Sequence, residues 1–179
     1  TYTMQFNIEQ AGAYTIRTLL SAVDIADSPF EMTITAAVVV PAAHCAGDTD
    51  ASGNACAMNS DASGCESTTG SCVFVPGSTL TGAGRLNAVV GLRAPLRIDA
   101  VDRFNNPSSN LGPAGSFIEV SVTRGATVDS INYVQSAASI GVFLCPYTTE
   151  VATDNALVSV TLEGVHFADS PETAIVQPN

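Results

Sequence analysis

Lysine and tryptophan are absent from this 179-residue chain, and six arginines face seventeen acidic residues for a net charge of −11. A polyanion needs a basic footprint, so nucleic acid and anionic membrane surfaces are excluded as partners. Divalent cations and basic partners suit such a surface. Long apolar runs are missing too. The densest, Ile34 to Val40, stops at Pro41 and is too short to cross a bilayer as a helix, so no membrane insertion is expected of this segment. Without lysine there is no Gly-rich loop leading to one, which removes phosphate cradles of the P-loop kind. No Asn-x-Ser/Thr acceptor occurs, since Asn106-Pro107-Ser108 is spoiled by its proline. The opening residues have neither the basic head nor the apolar core of a signal peptide. Residue 1 already stands in a strand pattern, so the expectation is a signal further upstream in a longer precursor, or a fragment.

What is present is apolar and finely divided. Hydrophobic residues make up 46% of the chain at a mean hydropathy of +0.27, enough for real cores, while aromatics reach only 6%. Abundant Ala, Val, Thr, Ser and Gly favour short strands and tight turns over long helices. Tyr2, Met4, Phe6 and Ile8 alternate onto one face, then Tyr14, Ile16, Thr18 and Leu20 after a turn at Gly12, and a third run opens at Ser28-Pro29-Phe30. Further strands are read at 73–75, 96–100, 117–123, 127–133, 140–145, 156–162 and 166–176. Leu96, Ile98 and Ala100 share one face, as do Ile118, Val120 and Val122, with Arg97 and Glu119 pointing out. Seven short strands in about 105 residues have the spacing of a β-sandwich.

Ala-Asp-Ser-Pro occurs twice, at 26–29 and 168–171, an offset of 142 residues. The preceding strands align as well: Tyr14, Ile16, Thr18 and Leu20 match Ala156, Val158, Val160 and Leu162. Setting aside the 32-residue segment Pro41–Cys72 leaves 110, close to one small module. The reading is residues 1–40 as the C-terminal strands of a preceding repeat, 41–72 as a cysteine-rich insert, and 73–179 as a nearly complete module. Asp27 and Asp169 are read as turn caps, each followed by a proline that starts a strand without a ladder donor. Three strands alone would leave one face of the first module open, so its other strands are expected upstream or from a neighbour.

The insert carries four of the five cysteines, Cys45, Cys56, Cys65 and Cys72, in a stretch lacking core residues. A disulfide-stapled loop in an oxidising compartment follows, with the pairing open. Cys145 either bridges back to the insert, with Cys72 as partner, or stays a buried free thiol. Asp48, Asp50 and Ser52, repeated as Asn59, Asp61 and Ser63, have the 1-3-5 oxygen spacing of a calcium loop. The glutamate at position 12 is missing from both, and a solvated Asp/Ser/Gly loop accounts for the same letters. Zinc is disfavoured because the cysteines lack short C-x₂₋₄-C knuckles. No cofactor is expected otherwise. His44 and His166 lie far apart, and neither joins a nucleophile and an orienting acid, so no catalysis is expected.

These motifs resemble the filamin-type immunoglobulin-like repeat. Gly12-Ala13-Tyr14 and Asp27-Ser28-Pro29-Phe30 match its penultimate turn and the opening of its last strand, with aspartate in a glycine place. Gly82, Gly84, Leu86 and Val90-Gly91 match its opening, and Leu96–Ala100 its strand into the polar turn Asp102–Asn106. The second copy keeps Ser170-Pro171 and loses the Gly, Tyr and Phe. The resemblance implies an all-β fold, an immunoglobulin-like (filamin-type) β-sandwich, with one nearly complete module preceded by the last strands of another. It implies a non-enzymatic spacer whose partners are neighbouring repeats of the same chain and homo- or hetero-filament subunits. The cysteines and lysine-free composition are more similar to extracellular shaft proteins of algal flagellar hairs (mastigonemes) or cell walls, which places the expected location outside the cell, at a cell or flagellar surface. Adhesive ectodomains and accessory domains of larger enzymes are the rival readings.

Overall fold

A computed structural model describes residues 5–25, 27–46, 56, 65, 73–75 and 77–179. The described residues form an almost all-β chain, interrupted by a single 3-10 turn at Ala83–Arg85. Its strands are β1 (Gly12–Ile16), β2 (Leu19–Leu20), β3 (Val23–Asp24), β4 (Phe30–Ile34), β5 (His44–Ala46), β6 (Val73–Val75), β7 (Thr79–Thr81), β8 (Asn87–Val89), β9 (Arg97–Asp99), β10 (Ile118–Arg124), β11 (Thr127–Val134), β12 (Val142–Leu144), β13 (Thr153–Leu162), β14 (Val165–His166) and β15 (Glu172–Gln177).

The main body has two layers. One sheet runs β11-β10-β13-β15-β8, with β14 folded onto β13; the other runs β12-β9-β7. All pairs are antiparallel except β15 with β8. The period-2 patterns explain the layers. Ile118, Val120 and Val122 from β10 and Ala156, Val158 and Val160 from β13 turn inward to meet Leu80, Ile98 and Phe143 from the smaller sheet in one buried cluster. Each buried Val, Leu or Ile in it contributes about 1.5–3 kcal/mol. Arg97 and Asp99, the alternate members of β9, pair with each other in solvent. This is the arrangement of a β-sandwich.

Glycine is required where β7 turns into the 3-10 turn. A Cβ on Gly82, held at φ +108°, would lie 2.5 Å from the Pro95 carbonyl oxygen, and one on Gly84 would lie 2.8 Å from it. Gly84 N–H donates to that same oxygen at 3.0 Å, and the buried Tyr147 hydroxyl donates to the Gly84 carbonyl at 2.6 Å. The close approach is what the two glycines permit.

The repeat seen in the letters recurs in the turn hydrogen bonds and in three strand pairs, although the second copy has a register shift between Thr153 and Ala156 that the first lacks. In the first copy Thr18 N–H donates to Ser28 Oγ at 2.7 Å, and in the second Val160 N–H donates to Ser170 Oγ at 2.7 Å. Ile25 N–H reaches Thr18 O, and Phe167 N–H reaches Val160 O, both at 3.1 Å. The tight turns also match, with positive φ at Ser21 and Ala22 and again at Glu163 and Gly164. Asp27 and Asp169 both adopt the left-handed backbone, φ 66° and 61°, and both Ser-Pro bonds are cis. Pairing of Tyr14 with Met32 has its counterpart in Ala156 with Ala174. The first copy is thus the β1–β4 hairpin with the small β2–β3 hairpin at its end.

Three strand readings need correction. Of the alternating run Tyr2–Ile8, residues 2–4 lie outside the described residues and residues 5–8 form no strand. The run through Val40 stops at Ile34. The run 166–176 is divided at Asp169-Ser170-Pro171, where a left-handed residue and a proline cannot continue a ladder.

Candidate functional site

The segment after β4 is built into the main body. Val39 is only 3% exposed and belongs to its core cluster. Val39 N–H donates to Asn110 O and Val40 N–H to Val101 O, each at 2.8 Å. Ser78, fully buried, stitches this segment to the body: its Oγ donates to Val40 O at 2.7 Å and accepts from Val101 N–H at 3.0 Å. Ser108 Oγ donates to Ala37 O. The connection is therefore an extended segment outside the strands, anchored by an isolated bridge of Val39 to Asp102, backbone hydrogen bonds and one apolar side chain.

A second contact reaches across to the hairpin itself. The turn Asp102–Asn106 holds two buried polar side chains, Asp102 at 0% exposed and Asn106 at 7%. Asp102 Oδ1 accepts from the Phe104 and Asn106 N–H groups, both at 2.9 Å. Its Oδ2 accepts from Ala37 N–H at 2.8 Å and from Asn106 Nδ2 at 3.1 Å. Asn106 then uses both ends of its amide on the stretch before β1: Nδ2 donates to Glu9 O at 2.9 Å, and Oδ1 accepts from Ala11 N–H at 3.0 Å. One aspartate organises its own turn, and the asparagine it orients grips the hairpin backbone.

Burial works to raise the pKa of the Asp102 carboxyl. Hydrogen bonds from the Asn106 and Ala37 backbone, the Asn106 amide and the Phe104 backbone outweigh it, so the group is held below its ordinary value of 3.8. The carboxylate is ionised at neutral pH, and its bonds to N–H groups are charge-assisted. Chemically the cluster can clamp; it offers no nucleophile and no acid–base pair.

Among the described residues no group of three or more His, Cys, Asp or Glu gathers to hold a metal ion. The calcium candidates Asp48, Asp50, Ser52, Asn59, Asp61 and Ser63, and Cys72, lie outside the described residues. Cys45 and Cys65 form a disulfide, and Cys56 is disulfide-bonded as well. Cys145, counted among the candidate disulfide cysteines, instead carries a free thiol. It sits in the core with no exposed surface, and burial pushes its pKa up to about 12. Tyr14 makes a turn contact, its hydroxyl donating to Gln10 O at 2.6 Å.

No family model matches the chain, and no curated protein matches it. Among solved structures, the chain is similar to the Escherichia coli adhesin FdeC at 14% identity, with a TM-score of 0.42, over 93% of this chain and 74% of that one. No helix among the described residues is long and apolar enough to cross a membrane.

The junction was not legible as a site. Asp102–Asn106 reads as an ordinary polar turn, and its signal is only that an Asp and an Asn stand four apart beside an alternating strand. Asp27 and Asp169 read in the sequence as the turn caps. The hydrogen bonds there come from Ser28 and Ser170, while Asp169 extends outward to Arg85 at 3.4 Å.

Proposed function

We propose that this chain is a structural segment of a tandem array of filamin-type, immunoglobulin-like modules. Residues 1–40 close one module, 41–72 form a disulfide-held insert and 73–179 form the next. Its work is mechanical: it sets the length of a shaft and fixes the angle between successive modules. It performs no catalysis. Its partners are neighbouring repeats and the other subunits of a filament. The disulfides favour an oxidising, extracellular setting such as a cell or flagellar surface.

The observation that carries this reading is the hairpin 12–34 recurring near 154–176, with three matching strand pairs and the same Ser-Pro turn hydrogen bonds, joined to the second module by the Asp102–Asn106 clamp. A flexible tether would leave the two units free, whereas a connection hydrogen-bonded into the body plus a buried polar clamp resists bending. Residual dipolar couplings test this. In the native chain, couplings from 12–34 and from the main body should fit one alignment tensor; in Asn106→Ala they should need two. Two tensors already in the native chain would refute the spacer mechanism, and a single tensor in both proteins would refute the clamp as what fixes the angle.

A second reading, an adhesive or ligand-binding ectodomain, draws on β11, at the end of its sheet among the described residues. It presents Val128, Ile131 and Tyr133 to solvent on one face. Beads coated with the chain that adhere to immobilised matrix proteins or glycans, and lose adhesion in Ile131→Glu, would move the assignment to adhesion.

A further inference from the structure

We propose that the β1–β4 hairpin is an acceptor for an added antiparallel strand along β1, and that its occupant is a strand from a module of this same type, alternating β-branched apolar with polar residues. This rests on the tandem-module reading above. The second copy of the hairpin shows what such a surface is built to hold. There, β10 lies along β13, with Ile118 opposite Leu162, Val120 opposite Val160 and Val122 opposite Val158. Among the described residues β1 has β4 as its one strand partner, so the equivalent edge stands open.

The faces differ as the edges do. Leu162 is 4% exposed where its counterpart Leu20 is 72% exposed, and Phe167 is 1% exposed where Ile25 is 43% exposed. The backbone is already set for the missing partner. Thr18 turns both its N–H and its C=O toward Ser28 and Ile25, so alternation points the backbone groups of Arg17 and Leu19 at the open edge. Those positions are 142 residues before Ser159 and Thr161, which face Ser121 and Glu119 in the main body. An incoming strand of that pattern would set its Ile-x-Val-x-Val face over Leu20, Thr18 and Ile16.

The test uses the full chain and a synthetic peptide with the sequence of residues 116–124, followed by residue-resolved hydrogen exchange. The expected result is saturable slowing at Arg17 and Leu19 by about tenfold or more, the change that about 1.4 kcal/mol of pairing produces. It should vanish with the peptide N-methylated at the positions of Glu119 and Ser121, which cannot complete the ladder. Unchanged exchange at Arg17 and Leu19 with saturating peptide would overturn the proposal, as would protection appearing on β11 instead. Protection that grows with protein concentration before any peptide is added would name an edge strand of a folded second copy, not a strand of the β10 pattern, as occupant and overturn it as well. Dipolar couplings on the same sample judge the clamp separately, so failure of the acceptor and failure of the tandem reading give different results.

Discussion

Replacing Asp102 by Asn keeps the shape of the clamp and reverses one of its bonds. The new amide can leave its oxygen at the Oδ1 position, where it still accepts from Phe104 and Asn106 N–H. Its NH₂ then faces Ala37 N–H at 2.8 Å and Asn106 Nδ2 at 3.1 Å, donor against donor. One short charge-assisted bond is worth about 1.5–3 kcal/mol, and leaving buried groups unpaired brings the expected loss to roughly 3–5 kcal/mol. At about 2–4 °C per kcal/mol for a chain of this length, the melting temperature should fall by roughly 6–20 °C. The pH dependence supplies the sharper check. The folded carboxyl is held below 3.8, so its stabilisation is fully present above the unfolded value and is lost as pH falls through the folded one. Urea unfolding should therefore show a constant gap between native chain and variant near pH 6–7 that closes in acid. A variant as stable as the native chain at pH 7, or a gap indifferent to acid, would refute the clamp.

Two other outcomes follow from the same structure. Leu162→Ala should cost about 2–5 kcal/mol as a core truncation, whereas Leu20→Ala, at the equivalent position of the first copy, should stay within about 0.5 kcal/mol; chemical denaturation of the pair measures both. Cys145, buried with its pKa near 12, should resist iodoacetamide at pH 8 in the folded chain and react once denaturant opens the core, as peptide mapping would show.

Alternation made most of the main body legible. Leu96, Ile98 and Ala100, and Ile118, Val120 and Val122, are buried as their period-2 spacing requires, because a strand with one covered face must place its apolar set on that side. Alternation misled in the run 2–8, whose described residues 5–8 form no strand. A ladder needs a second chain segment at 4.8 Å, and spacing along one segment says nothing about that. The disulfide reading of the insert came from composition, but the Cys45–Cys65 pairing and the free thiol at Cys145 depend on which sulfurs the fold brings within bonding distance.

By itself, the sequence determined the all-β class, the 142-residue repeat, the inward and outward faces of the main strands, and the net charge of −11. Each of these is local or additive, a matter of spacing, identity or summed charge. Only the tertiary structure decided that Val39 enters the core, that Ser28 and Ser170 rather than their neighbouring aspartates make the turn bonds, and that Asn106 reaches Glu9 and Ala11 across more than ninety residues of chain. Those contacts depend on the burial and direction of polar groups far apart in sequence. A buried hydrogen bond is stable only where folding removes water from both partners at once.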